Sequence, residues 1–195
     1  KDMPGFQVTK GEEKLGMRGS DWGGLVFQDC RVPAANVVGP EGEGFKTFLK
    51  TLDAGRISIG ALGLGIGEGA YRRALSHAHE RSAFGKPLIE QQAVGFKIAD
   101  MATGLAGARH HVYHAARLKD AGLPFTREAA MAKLVASEVA MKVTYEAIQI
   151  LGGYGFCTEY EVERMYRDAK LCTIGEGTSE IQRIVISRQI VKEQT

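Results

Sequence analysis

The chain is poor in the features that announce metal, nucleic-acid or membrane chemistry. Its three cysteines, Cys30, Cys157 and Cys172, are scattered over 195 residues. That spacing fits neither a disulfide framework nor a CxxC metal site, and it points to a reducing compartment. Charge of neither sign dominates: 25 Lys and Arg against 23 Asp and Glu leave a net +2, which makes no case for a nucleic-acid partner. No apolar run is long enough to span a bilayer, and Leu62 to Ile66 is short and rich in glycine. A signal-peptide pattern, an internal repeat and a low-complexity tract are all missing. At 44% hydrophobic and 25% charged, the composition is that of an ordinary globular chain of one domain or slightly more.

Two textures divide what is there. Residues 1 to about 40 are punctuated by Pro4-Gly5, Gly16, Gly19, Gly23-Gly24, Pro33 and Gly39-Pro40, with Leu25 to Val32 as the best strand. Such short strands need partners to make a stable sheet. Beyond Gly44 the pattern turns helical. Helices are expected from about Phe45 to His79, Leu88 to Ala121, Thr126 (as N-cap) to Ile150, Tyr160 to Lys170, and from Ser179 onward. In the third, Met131, Leu134, Val135, Val139, Val143 and Ala147 form a stripe at helical spacing. Three long helices with short connections predict a mainly α antiparallel bundle over residues 41–195, preceded by a few β-strands in 1–40.

The most informative stretch is Ile174-Gly-Glu-Gly-Thr-Ser-Glu-Ile-Gln-Arg183. It sets one carboxylate, Glu176, between two glycines just before a helix start, with Ser179 and Gln182 spaced as a capping box. Glycine lets backbone and ligand approach closely, and the first turn of a helix offers free N–H groups. A carboxylate beside such donors suits proton abstraction next to a carbonyl. On these residues alone an acidic helix N-terminus, favoured by the dipole, explains the pattern as well.

Other signals have plainer readings. Gly65-Ile-Gly-Glu-Gly-Ala70 imitates a dinucleotide fingerprint, but it lies inside a continuous helical pattern where a strand and tight turn are required. Small residues for close helix packing are the better account. His110 and His114 share a helix face with His111 nearby, without a carboxylate ligand or an HExxH pattern, so no metal site is expected. Arg81 could pair with a pyrophosphate and Phe84 could pack on a ring system. Asp53 and Arg56 stand at the spacing of an i,i+3 ion pair.

Taken together, the segments Leu15-Gly-Met-Arg-Gly-Ser20, Phe27-Gln-Asp-Cys-Arg-Val-Pro33, Leu52-Asp-Ala-Gly-Arg56, Arg81-Ser-Ala-Phe-Gly85 with Gln92, Gln149-Ile-Leu-Gly-Gly153, Arg167-Asp-Ala-Lys170 and the Glu176 turn occur in register. In that order they resemble the C-terminal part of an acyl-CoA dehydrogenase, nearest to the short-chain (butyryl-CoA) branch. The resemblance covers nearly the whole chain. It implies that residues 1–40 are the end of a middle β-domain and that a longer enzyme would carry an N-terminal helical domain and the rest of the β-domain.

By the same resemblance Glu176 is the catalytic base of an α,β-dehydrogenation of an acyl-CoA thioester, with the β-hydride passing to FAD. The thioester oxygen would be held by the Glu176 N–H and a flavin ribityl hydroxyl. FAD contacts are implied for Arg81, Phe84, Gln92, Gln149, Ile150, Leu151, Gly152, Gly153, Thr178, Ser179 and Glu180, the Arg81 and Gln149 to Gly153 segments reaching a neighbouring subunit's flavin. Asp53, Ala54, Gly55, Arg56 and Gly177 would lie along the acyl-CoA channel. Some branches carry the base at the position of Gly55, which here leaves Glu176 as the only one. Electron-transfer flavoprotein is the implied acceptor, a homo-oligomer (dimer or tetramer) the implied assembly, and the cytoplasm or the mitochondrial matrix the implied compartment. One departure stands out: Gly175 replaces the Tyr usual before the base, which widens the acyl pocket toward branched groups. An acyl-CoA oxidase on the same scaffold, or an inactive helical oligomerisation module, are the alternatives.

Overall fold

Glycine and proline keep the first forty residues out of helix. In the computed structural model, which describes residues 3–193, their described part forms one 3-10 turn (Ala34–Asn36) and two strands. The strands are β1 (Phe6–Val8) and β2 (Leu25–Phe27), paired antiparallel with Phe6 opposite Phe27. β2 is three residues long, where a strand to Val32 was expected. Asp29 takes the left-handed conformation (φ 48°) and turns the chain out of the ladder, a role that Asp fills more readily than β-branched residues.

The helices follow. α1 runs from Gly44 to Glu80, α2 from Gln92 to Asp120, α3 from Thr126 to Leu151, α4 is the single turn Gly153–Phe156, α5 is Val162–Cys172, and α6 is Ser179–Lys192. α1, α2 and α3 pack on one another as the expected bundle, and α3 also touches α5 and α6. No helix of the described residues is long and apolar enough to cross a membrane.

Several boundaries differ from the sequence reading. α2 was expected from Leu88 but begins at Gln92. Phe84 and Gly85 both have positive φ (52° and 80°), the two-residue turn that closes a tight hairpin. It pairs β3 (Ser82–Ala83) with β4 (Lys86–Pro87). Gln91, bonded through Nε2 to the Ala83 carbonyl at 3.0 Å, is held extended at the helix mouth. The fourth expected helix, Tyr160 to Lys170, is shifted because Glu161 sits at φ 61° and separates a 3-10 turn from α5. Thr126 does not cap α3; the cap position is Phe125, and the Thr126 hydroxyl donates to Asp53 Oδ2 at 2.7 Å.

α3 is central, and its burial is wider than one stripe. Val143 and Ala147 are buried as expected, but Met131, Leu134, Val135 and Val139 are only half-buried. The deepest positions belong to Ala129, Ala132, Ala136 and Ala140. Where helices press from several sides, small side chains set the approach. The glycines of α1 match them: a Cβ on Gly63 would sit 3.3 Å from the Ala136 carbonyl, and one on Gly67 would sit 2.9 Å from Leu105 of α2. Of the dinucleotide-like glycines, Gly67 packs against α2 and α3 and Gly69 against Met165 of α5, whereas Gly65 is exposed with nothing within 4 Å of a would-be Cβ. Larger core groups, Met101, Leu105, Val112 and Ile150, fill the remaining volume; truncating such a side chain costs about 2–5 kcal/mol.

The β-ribbon segment is tied to the bundle at one place. The Met17 amide donates to Asp168 at 2.5 Å, and Arg167 Nη1 donates to the Leu15 carbonyl at 2.9 Å. Gly16 lies against the Arg167 backbone, where a Cβ would meet the carbonyl carbon at 2.5 Å. Two segments far apart in sequence, Leu15 to Ser20 and Arg167 to Lys170, are therefore one contact.

Candidate active site

The loop between α5 and α6, six residues from Thr173 to Thr178, is closed by the Ser179 amide donating to the Thr173 carbonyl at 3.1 Å. Within it Glu176 and Gly177 both have positive φ, 54° and 91°. Glycine adopts this conformation freely, while a glutamate there is uncommon and must be held by its surroundings. Thr178 is the N-cap of α6, its hydroxyl oxygen accepting from the Ile181 amide at 3.4 Å. The Ser179–Gln182 capping box is therefore corrected: Ser179 is the first helical residue and is buried, and Gln182 turns inward. Hydrogen bonds from its own amide and from the Thr178 hydroxyl hold the Glu180 carboxyl below the usual carboxylate range.

Beneath the turn lies a buried polar layer. Gln182 Nε2 donates to the carbonyls of Glu176 (3.1 Å) and Gly177 (2.8 Å), and Lys133 Nζ of α3 donates to the same Gly177 carbonyl at 2.8 Å. With both carbonyls drawn inward, peptide planarity turns the amides of Gly177 and Thr178 the other way. The Glu176 amide has no acceptor among the described residues. Burial lowers the pKa of Lys133, and the Arg56 charge lowers it further, against Cys172, Glu180 and Glu138. Burial pushes the neighbouring Cys172 thiol up to about 11. Lys133 escaped the sequence reading, where a charged residue set amid the apolar positions of α3 was the signal, and Gln182 was read there only as a capping-box residue.

α1 supplies the opposite wall. The Glu176 carboxylate lies over Gly55: a Cβ at position 55 would come within 2.8 Å of Glu176 Cδ. Two residues before Gly55, Asp53 accepts from buried Arg56 and from Thr126, so the i,i+3 pair forms and also ties α1 to α3. Arg56 Nε, Ser179 Oγ and Gln182 Oε1 are buried without a partner among the described residues. Gly175 has room: a Cβ there would make only ordinary contacts with Leu171. A cleft of about 310 Å³ between the Glu12 to Trp22 loop and α5 reaches Ile174, beside this turn.

The remaining candidates stand elsewhere. Arg81, Phe84 and Gln92 cluster around the β3–β4 hairpin, past the C-terminal end of α1. Gln149 to Gly153 end α3 at the same side, where Tyr154 packs on His77 at 6.0 Å between ring centroids. Gln149, Gly152 and Gly153 are exposed, whereas Ile150 and Leu151 are buried in the core. From Gly55 to Arg81 the chain follows α1 for roughly 40 Å at 1.5 Å per residue. The structure therefore sorts the sequence candidates into two groups at separate ends of one chain. His110, His111 and His114 are exposed on α2, and no cluster of metal-ligating side chains occurs among the described residues.

Comparison with known proteins gives this arrangement a family. Residues 42–191 match the acyl-CoA dehydrogenase C-terminal domain. An acryloyl-CoA reductase (NADH) of Anaerotignum propionicum is 53% identical over 98% of this chain and 49% of its own length. The mitochondrial short-chain specific acyl-CoA dehydrogenase of Homo sapiens is 50% identical over 97% of this chain and 46% of its own. The butyryl-CoA dehydrogenase structure from Megasphaera elsdenii superposes with a TM-score of 0.96 at 49% identity, covering 97% of this chain and 50% of that one. The chain belongs to the acyl-CoA dehydrogenase family. It spans about half the length of the curated relatives it matches.

Proposed function

We propose that this chain is the helical C-terminal part, with the last strands of the β-domain in residues 1–40, of an enzyme that dehydrogenates a short-chain acyl-CoA between its α and β carbons. The observation that carries the reading is Glu176: one carboxylate, held on a left-handed turn over a glycine and beside an unpaired amide. Glu176 takes the α-proton as the Cα–H bond breaks. The Glu176 amide donates to the thioester oxygen, which gains negative charge in the same step; a fixed donor in a site shielded from water is worth far more than one in solution.

FAD, when bound, supplies the acceptor for the hydride that leaves the β-carbon. The residues present fit such a group. Arg81 forms no ion pair among the described residues, and Phe84 beside it is 97% exposed. Gly152 and Gly153 present bare backbone with nothing within 4 Å of a would-be Cβ. A guanidinium matches a diphosphate and an aromatic ring packs on a planar one. Because these groups lie far from Glu176 along α1, they serve the flavin of a second subunit, which makes the working form a homo-oligomer, dimer or tetramer. Electron-transfer flavoprotein is the proposed acceptor, and the compartment is the cytoplasm or the mitochondrial matrix.

One second reading has an observation behind it. The Anaerotignum propionicum relative is named for reduction of acryloyl-CoA with NADH. The same residues serve that direction, with Glu176 returning the proton to the α-carbon.

Replacing Glu176 with Gln in the FAD-loaded enzyme tests the assignment. Flavin content should be kept, and flavin reduction by butyryl-CoA should slow by a factor of about a hundred to ten thousand, the usual loss for a positioned base. Bleaching at the wild-type rate would remove Glu176 from the mechanism.

A further inference from the structure

Lys133 is the largest fully buried side chain among the described residues, and the proton transfer described above does not use it. Taking an ammonium out of water is costly, and an apolar residue of similar size fills such a space more cheaply. The charge is nonetheless spent on one backbone atom, the Gly177 carbonyl, immediately after Glu176. Gln182 shares that atom and also holds the Glu176 carbonyl. The two side chains come from different helices, α3 and α6, and converge on the loop where Glu176, at φ 54°, must be kept in place. The other charged or titratable groups around Lys133 are Arg56 of α1, Glu138 of its own helix, Cys172 of α5 and Glu180 of α6. None of them forms a direct hydrogen bond with its ammonium.

We infer that Lys133 is a positioning residue for catalysis: with Gln182 it anchors the Gly177 carbonyl, and so holds the left-handed backbone at Glu176 and keeps its carboxylate over Gly55. This rests on the reading of Glu176 as the base. The anchor acts on orientation, so its loss should slow the chemical step without weakening substrate or flavin binding. Misplacing a reacting group by about an ångström costs on the order of a hundredfold.

The test uses the FAD-loaded full-length enzyme, with Lys133→Met, Lys133→Gln and Gln182→Leu beside wild type and Glu176→Gln. Butyryl-CoA is the reductant, and rapid mixing gives the limiting rate of flavin reduction separately from substrate affinity. In Lys133→Met the limiting rate should fall about ten- to a hundredfold, with butyryl-CoA affinity and FAD content unchanged. Hydrogen exchange should quicken in residues 174–179 and stay as in wild type along α3. Lys133→Gln, which keeps a donor, should recover part of the rate, and Gln182→Leu should reproduce the signature even where Lys133→Met folds poorly. A wild-type limiting rate in both Lys133→Met and Gln182→Leu overturns the inference while leaving the Glu176 assignment intact. A loss accompanied by flavin release and faster exchange throughout α3 overturns it too, since that is what mere support of the fold produces. If Glu176→Gln itself reduces at the wild-type rate, the base assignment and the anchor fall together.

Discussion

Gly55 of α1 and Glu176 of the α5–α6 loop occupy one place: the carboxylate lies where a side chain at 55 would begin. A carboxylate carried on α1 and one carried on the loop are therefore alternatives for this place, and this chain has the second. The relationship also makes Gly55 a functional glycine inside a helix, a position where glycine is otherwise unfavourable by roughly 1 kcal/mol relative to alanine.

That conflict can be measured. Gly55→Ala should raise helix stability by up to about 1 kcal/mol, because the atom it meets is the end of a flexible side chain that can swing away. The same swing moves the base, so flavin reduction by butyryl-CoA should slow about ten- to a hundredfold. Denaturant unfolding and stopped-flow reduction on the same preparation give both numbers. A variant that is fully active shows that the carboxylate works from elsewhere.

Arg81→Ala addresses the second cluster of candidates. With Arg81 and Phe84 exposed and the hairpin far from Glu176 along α1, the variant should lose FAD and subunit association together. Flavin content and sedimentation of the full-length enzyme check it. A monomer that retains a full complement of flavin would show that the site is complete within one chain.

Gly175→Tyr restores a wall beside the base, and the space at Gly175 admits a Cβ without displacement. The ratio of kcat/KM for isobutyryl-CoA to that for butyryl-CoA should fall about ten- to two-hundredfold, the range that one or two methyl groups command in an apolar pocket. An unchanged ratio means that residue 175 does not line the acyl pocket.

Cys172 gives stability a pH dependence with a definite sign. Its thiol titrates near 11 in the folded protein against an ordinary 9.0. Above pH 9 the unfolded chain loses this proton first, so the contribution is fully present below 9 and is lost as pH rises toward 11. At about 1.4 kcal/mol per unit, the loss is on the order of 3 kcal/mol. Lys133 works the other way: its lowered pKa makes the folded form gain as pH rises toward the ordinary 10.5. Cys172→Ala should be less stable near neutrality, through the cavity it leaves, yet show a flatter decline from pH 9 to 11 in urea unfolding. Parallel curves for variant and wild type would contradict the buried-thiol account.

Local pattern carried the helices well because periodicity is a property of neighbouring residues. α1 came within one residue at each end, and the Gly65 to Ala70 stretch was correctly kept inside it. The errors fell where a single residue with positive φ decides the path: Asp29 ended β2, Phe84 made a hairpin in place of a helix start, and Glu161 delayed α5. Nothing in composition marks a Phe or a Glu for a left-handed turn. Thr126 and Ser179 look like caps from spacing, but Asp53 claimed the first and burial took the second.

By itself the sequence determined the mainly helical class, the order of the long helices and the singular position of Glu176 between two glycines, since each follows from residue type and short-range spacing. Only the tertiary structure decided that Gly55 makes room for that carboxylate, that Lys133 and Gln182 draw the turn's carbonyls into the core, and that the Arg81 and Gln149 segments stand apart from it. Those relationships join residues on different helices, and their distances are set by how α1, α3 and α6 pack.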